Sequence, residues 1–332
     1  MGNDVPKLLT FNCHEPYIHC LAKLGWNMVV VDGLPGRSNS HWDRRSRPIP
    51  ANARVVSLGA ALALGPYDAV IAHNLSDLLS AKDVDAPRVF VAHVNLRARM
   101  REEGVSFRAA EMATELRNYL SHTGGIAVGV SEAKLQSWGL PGLVVPPPVD
   151  PDEYGGYTGT LCRGLRVANS VSLRRRRFAW DSHEAIVRGF DFKLVGDNPD
   201  LGTSVAPSFD ALRSYYREHR YFVYTAHQSD EDGYNLALLE AMASGMPIVA
   251  TPHSSLPVSH GLSGYVSGDV PALRRGIERL LDDPELAAAM GAAARREAVE
   301  KFAISRFIER WHSALRLAAS THSQRAGRRS VA

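Results

Sequence analysis

Short apolar runs rich in valine and isoleucine, set between longer stretches of mixed polarity, dominate the first half of the chain: KLLTF, NMVVVDG, VVSLG, YDAVIAH, RVFVAH and IAVGVS. Continuous runs of this length, spaced by helical or loop segments, predict parallel strands buried on both faces in successive βα units. Open sheets of this kind bind ligands at the carboxyl ends of their strands. Asn12, Asp32, His73, His93 and Ser131 stand at those ends.

From Val144 to Gly159 the sequence VVPPPVDPDEYGGYTG interrupts the pattern, and its prolines exclude helix interior and central strand alike. Beyond it the alternation restarts with LRVAN, a helix over 180–187, FKLVG, a helix over 208–218, YFVYTA, a helix over 235–243 and PIVAT. This predicts an α/β protein of two parallel-sheet domains, residues 1–150 and 151–319, with the ligand site in a deep cleft between them. After GYVSGD, residues 271–281 and 284–301 carry apolar positions at helical spacing, and so does a stretch over 305–319 with Phe307, Trp311, Leu315 and Leu317. The second domain is expected to include these helices, and residues 320–332 to form a disordered tail.

The chain has 332 residues, 45% of them hydrophobic and 22% charged, which fits a soluble two-domain globular protein. Cys13, Cys20 and Cys162 are an odd number without paired spacing, so they read as thiols of a reducing compartment and indicate neither disulfide nor zinc. The N-terminus lacks a secretory pattern and no apolar run reaches the roughly 20 residues of a membrane span. A cytoplasmic protein is expected, at most peripheral at the inner face of the membrane. Net charge is +3, with arginine clustered at Arg44, Arg45 and Arg47, at Arg97, Arg99 and Arg101, at Arg174 to Arg177, and in the tail. Only the run at 174–177 reads as more than a solvated surface; such charge attracts phosphates.

The segment Asp232 to Gly268, DGYNLALLEAMASGMPIVATPHSSLPVSHGLSGYVSG, opens on a tight polar loop feeding a helix. The first turn of that helix presents backbone N–H groups and a positive dipole end to a diphosphate or a sugar hydroxyl. Glu240 follows one to two turns on, and Gly245 and Pro247 end the helix and open the next strand. This segment resembles the donor-binding core of family 4 retaining glycosyltransferases, whose motif is Glu, seven residues, Glu, then Ala-Met-Ala and a Gly-x-Pro strand. The resemblance continues through GDVPALRRGIERLLDDPELAAAMGAAARREAVEKF and, more weakly, covers IAVGVSEAKLQSWGL with VVPPPVDPDEY, roughly the last 200 residues. It implies the GT-B architecture, two Rossmann-like domains with the acceptor on the first and the donor on the second.

The resemblance further implies transfer of a sugar from a nucleoside diphosphate, UDP- or GDP-linked, to a glycan, lipid-linked or small-molecule acceptor, with retention and without a metal or other cofactor. Glu240 then meets the ribose, and Gly233, Tyr234, Asn235 and Leu236 the donor. Asp232 stands eight residues before Glu240, where the family has Glu, and keeps a role near the donor sugar. Asn169 lies near the family's arginine position and Arg177 at its lysine position, with Arg174 beside it. His93 takes the place of a strand-end histidine close to the donor sugar. Asn12, His14 and Glu15 replace the family's glycine-rich first loop and line the acceptor side, as do His41, Trp42, Asp43 and Arg44.

Asp-x-Asp occurs at Asp83, Asp150 and Asp230, but none of the three ends an apolar strand. Walker, G-x-G-x-x-G and zinc spacings are lacking. Three other readings stay open: a degenerate, non-catalytic sugar-nucleotide binder, favoured by Asp232 and the altered first loop; a phosphorylase or synthase; and a nucleic-acid binder, not expected here. The base, the sugar, the acceptor and the oligomeric state are not written in the sequence.

Overall fold

The six apolar runs of the first half are strands β1 (Lys7–Phe11), β2 (Asn27–Val31), β3 (Ala53–Val56), β4 (Ala69–Ala72), β5 (Arg88–Ala92) and β6 (Ile126–Gly129). A seventh strand, β7 (Gly142–Val144), had not stood out in the sequence pattern. The computed structural model describes residues 5–36, 41–104, 108–230, 234–253 and 255–329. All seven strands pair in parallel, in the order β3-β2-β1-β4-β5-β6-β7. The second sheet holds β8 (Leu161–Val167), β9 (Phe192–Val195), β10 (His219–Tyr224), β11 (Ile248–Ala250) and β12 (Gly264–Val266), again parallel, in the order β12-β11-β10-β8-β9.

Several helices begin where a short polar side chain can accept first-turn N–H groups. Ser131 accepts from Lys134, Ser208 from Ala211, Asp269 from Ala272 and Asp283 from Leu286. Helices Trp180–Val187 and Pro284–Lys301 cover the residues predicted; Phe209–Glu218 differs by one residue at its start, and Leu236–Ser244 and Val270–Asp282 differ by one residue at each end. Helix Leu236–Ser244 is buried from Leu238 to Ser244. Helix Pro284–Lys301 approaches it so closely at Gly291 that a β-carbon there would collide with the Gly245 carbonyl.

The chain divides into two compact units, Met1–Pro146 with Ser305–Ala332, and Pro147–Ile304. This corrects the expectation that all the terminal helices belong to the second domain and that the chain is disordered beyond residue 319. The last helix, Ile304–Arg329, belongs to the first unit and stays helical through residue 329. Burial is the reason: Phe307, Trp311, Ala314, Leu315 and Ala318 are core residues, and the Phe307 ring meets Tyr17 edge-on at 6.0 Å. Past residue 319, Thr321 Oγ1 donates to the Gly124 carbonyl at 2.7 Å and His322 lies 3.4 Å from Asp85. Gly124 has φ +66°, and a β-carbon there would stand 3.0 Å from the Thr321 carbonyl oxygen, so only glycine fits. Among the described residues, no helix is long and apolar enough to cross a membrane.

His219, at the start of β10, is buried, and its Nδ1–H donates to the Tyr215 carbonyl at 2.9 Å while Nε2 has no partner. Burial therefore pushes its pKa down, to about 4 from an ordinary 6.5. The unfolded chain takes up this proton first, so stability is full above pH 6.5 and falls as pH drops towards 4. Urea denaturation should register a loss on the order of 3 kcal/mol across that window, at about 1.4 kcal/mol per pH unit. The His219→Gln variant should show a visibly flatter profile; an identical profile would remove His219 as a source of acid lability.

Candidate functional site

In the second sheet the strand order reverses at β8, with β9 on one side and β10 on the other. Loops leaving such a pair diverge and open a crevice at the carboxyl ends of the strands. The loop after β8 carries Asn169 and the four arginines, and the loop after β10 leads to Tyr234, Asn235 and Glu240. Asp232 and Gly233, also expected here, lie outside the described residues.

The loop after β8 is held under strain. Ser170, with φ 54°, and Ala179, with φ 43°, are the non-glycine residues with left-handed backbone among the described residues, and they bracket the arginines. Such a conformation costs an alanine on the order of 1 kcal/mol, so surrounding contacts must impose it. Ser170 N–H donates to the Asp197 carbonyl at 3.0 Å, Val171 N–H to the buried Asn198 Oδ1 at 2.8 Å, and Trp180 N–H to the Arg175 carbonyl at 3.0 Å. Asn169 is exposed, and its Oδ1 accepts the Asp197 N–H at 2.9 Å, bracing the loop after β8 against the loop after β9.

The four arginines differ in surroundings. Arg175 is exposed and pairs with Glu184 at 2.7 Å and Asp181 at 2.5 Å, and these carboxylates raise its pKa. Arg176 pairs with the buried Asp230 at 3.1 Å. Arg174 is half-buried, and Arg177 is buried with its carbonyl accepting His227 N–H at 2.9 Å.

Beneath this loop lies Arg166 of β8, which sequence reading missed because a lone arginine in an apolar strand carries no spacing signal. It is 2% exposed and stands 5.3 Å from the Phe178 ring, 5.5 Å from Trp180 and 6.0 Å from Tyr224. Its guanidinium donates to Thr225 Oγ1 at 2.6 Å and to the Thr225 carbonyl at 2.9 Å, and Thr225 Oγ1 in turn donates to the Phe178 carbonyl at 2.6 Å. Burial lowers the Arg166 pKa to about 10, so it remains a cation at neutral pH. The relay Arg166–Thr225–Phe178 fastens the end of the arginine loop to the adjacent strands across the switch point.

Asn235 caps helix Leu236–Ser244: its Oδ1 accepts Ala237 N–H at 3.0 Å and Leu238 N–H at 3.4 Å. An asparagine at the cap thus satisfies two of the first-turn N–H groups expected to face a ligand. Glu240 is buried at 5% exposure and its Oε2 accepts from Tyr216 Oη at 3.0 Å. Tyr234 is half-buried and its ring meets Phe302 edge-on at 5.3 Å; Leu236 is a core residue.

The first sheet reverses at β1, between β2 and β4. Here Asn12 Nδ2 donates to Asp32 Oδ1 at 3.0 Å and Glu15 Oε1 at 3.4 Å, while Asp32 Oδ2 accepts Trp42 N–H at 3.2 Å and Glu15 Oε1 accepts Asp43 N–H at 3.3 Å. The two clusters expected on the acceptor side are thus one network. Burial raises the Glu15 carboxyl above its ordinary pKa against these hydrogen bonds. His14 and Arg44 are exposed, and His41 reaches Asp32 at 3.4 Å.

His93 lies one residue past β5, with Nε2 2.8 Å from Nδ1 of His73, which lies one residue past β4. Tyr17 stands edge-on to both, 4.5 Å from His93 and 5.8 Å from His73. Burial, reinforced by His73, holds the His93 pKa well below the ordinary imidazole value, so it is neutral at physiological pH. Cys13 completes a group whose donor atoms all lie within 4.8 Å of one another. Cys13 is a free thiol, as expected, and its place beside the two histidines is added by the fold: 60 residues of chain separate it from His73, so no short-range spacing could signal it.

Comparison with known proteins places this arrangement of two parallel sheets. It is the GT-B fold of two Rossmann-like parallel-sheet units. Sucrose-phosphate synthase from Thermosynechococcus elongatus matches with a TM-score of 0.67 at 15% identity, over 94% of this chain and 98% of its own. HepE from Anabaena, in complex with UDP and glucose, matches with a TM-score of 0.67 at 15% identity, over 93% of this chain and 99% of its own. Residues 187–283 match the family model described as glycosyl transferases group 1. The chain is also similar to the N-acetyl-alpha-D-glucosaminyl L-malate synthase of Bacillus anthracis, 33% identical over 45% of this chain and 44% of that protein. The chain thus spans less than half the length of the curated relatives it matches.

If Ala179 is held in its left-handed backbone by the loop's contacts, Ala179→Gly should raise the urea midpoint by about 0.5–1 kcal/mol equivalent, because glycine adopts that backbone without the alanine penalty. A drop in stability would show that the Ala179 methyl contributes more in packing than the backbone costs.

Proposed function

We propose that the protein is a glycosyltransferase that takes a sugar from a nucleoside-diphosphate donor held by the second unit and passes it to an acceptor hydroxyl. The observation that carries this reading is the strained, braced arginine loop at the switch point of the second sheet, next to a segment that matches a glycosyltransferase family model. Preorganised cations at such a crevice suit a leaving diphosphate, whose charge grows as the bond to the sugar breaks. Arg177, at the family's lysine position, and Arg174 beside it are assigned to that task by the resemblance. Glu240, anchored through one oxygen by Tyr216, is assigned to the ribose hydroxyls, and the Leu236 end of the helix to the donor.

The family resemblance favours retention and transfer without a metal. In that course the acceptor oxygen bonds to the anomeric carbon as the carbon–oxygen bond to the β-phosphate breaks on the same face, and the acceptor proton passes to the departing diphosphate. His93 is assigned to the sugar, Asp232 to the same end of the donor, and the Asn12–Asp32–Glu15 network to the acceptor. UDP or GDP is the preferred nucleotide, the UDP complex of HepE supporting the former. The acceptor is a glycan, a lipid-linked sugar, which would bring the protein to a membrane surface peripherally, or a small molecule. A sugar-nucleotide binder without transfer is the second reading, supported by Asp in place of Glu at 232.

A thermal-shift series with UDP, GDP, ADP and TDP and their sugar conjugates, in chelator, tests the donor site, since a ligand of the folded state raises its stability. A shift with one nucleotide family is expected; none at millimolar concentration would sink the proposal. Glu240→Gln keeps an acceptor for Tyr216 but removes the charge facing the ribose, and should weaken that nucleotide about tenfold, or about 1.4 kcal/mol. Unchanged affinity in the folded variant would take Glu240 out of the site. His93→Ala should lower turnover at least about tenfold with nucleotide affinity nearly intact, whereas wild-type turnover would make His93 a packing residue.

A further inference from the structure

We infer that Cys13, His73 and His93 form a binding site for a zinc-class divalent cation at the switch point of the first sheet. The three residues stand at the carboxyl ends of β1, β4 and β5, which are consecutive neighbours in the sheet, so the strands themselves fix their separation. Their donor atoms lie within 4.8 Å of one another, and the two imidazole nitrogens are 2.8 Å apart. Tetrahedral zinc, with bonds of about 2.0–2.3 Å, sets its ligand atoms roughly 3.3–3.8 Å apart, so side-chain adjustments of about 1 Å close the site. One thiolate and two imidazoles suit zinc or cobalt and not magnesium or calcium, which require oxygen.

The surroundings prepare one ligand for the metal. Thr10 Oγ1 lies 3.1 Å from the Ile71 carbonyl and 2.9 Å from His73 Nε2. A carbonyl only accepts, so the hydroxyl proton goes to Ile71, and the Thr10 oxygen must accept from Nε2–H of His73. His73 therefore carries its proton on Nε2 and turns the lone pair of Nδ1 towards His93 and Cys13. An outer hydrogen bond that fixes the tautomer and aims the free nitrogen is the usual support of a metal-bound histidine. The His73 backbone N–H is itself held by Asp77 Oδ2 at 2.8 Å, and the Tyr17 ring packs edge-on against both imidazoles. On coordination Cys13 loses its thiol proton to solvent and the His93 proton moves from Nε2 to Nδ1, leaving the ion a thiolate, two neutral imidazoles and one open position.

Titration of the full-length chain with Co2+ under reducing conditions tests the site without reference to activity. The expected result is one ion per chain, with a thiolate-to-cobalt charge-transfer band and the visible bands of a tetrahedral centre. Cys13→Ser should abolish the charge-transfer band, while Cys20→Ser and Cys162→Ser leave it unchanged. Thr10→Val keeps all three ligands and removes only the tautomer support, and should weaken affinity about 10–100-fold. Absence of a charge-transfer band in the native chain, or its survival in Cys13→Ser, overturns the proposal. An ion on His93 would also block the sugar contact proposed above, so zinc should inhibit transfer and chelator restore it. That consequence rests on the glycosyltransferase reading: if cobalt binds but zinc leaves transfer untouched, the assignment of His93 fails and the site stands.

Discussion

Both units obey the same constraint: a parallel sheet whose strand order reverses cannot close over the carboxyl ends of the two strands at the reversal. In the second sheet that opening lies at β8 and β10, in the first at β1 and β4. Most of the residues with unusual chemistry collect at these two places. The arginine loop, the Arg166–Thr225 relay and the helix bearing Glu240 surround one; the Asn12–Asp32–Glu15 network and the Cys13–His73–His93 group surround the other. Elsewhere the strands are lined by residues such as Leu8, Val30, Phe90 and Ile248 that do nothing but exclude water.

Arg166 illustrates how the scaffold and the site become the same thing. A buried guanidinium is tolerated because threonine oxygens and aromatic faces replace its water, and its hydrogen bonds are the ones that fasten Phe178. The left-handed Ala179 follows immediately, so the strain stored in the loop is balanced by contacts that reach into the sheet. A phosphate arriving at Arg174 or Arg177 would meet charges already positioned, with little of the ordering cost that four solvated arginines would impose.

Local signals were legible in the sequence. Apolar runs located ten of the twelve strands, and helix ends lay within a residue or so where a polar cap or a proline marks them, as at Pro284–Lys301 behind Asp283. β7 went unnoticed because Gly142, Leu143 and Val144 run directly into the prolines that end the domain. The last helix was assigned to the wrong unit because amphipathic spacing reports that a face is buried and is silent about what buries it. Site residues followed the same division: Asn12, Glu15, Asp43 and His93 drew attention by their place at strand ends or in polar clusters, while Arg166, Thr225 and Cys13 acquire their meaning only from partners tens of residues away.

The return of the last helix to the first unit has a bearing on synthesis. Residues 147–304 form an unbroken stretch whose two ends are stitched together, Val149 N–H to the Phe302 carbonyl at 2.7 Å and Ile304 N–H to the Val149 carbonyl at 3.1 Å. The first unit, by contrast, cannot fill its interior until Phe307, Trp311 and Leu315 have left the ribosome. The part of the chain that is made first is therefore finished last: the second unit can close as soon as it emerges, while the first waits with Tyr17 and its neighbours uncovered.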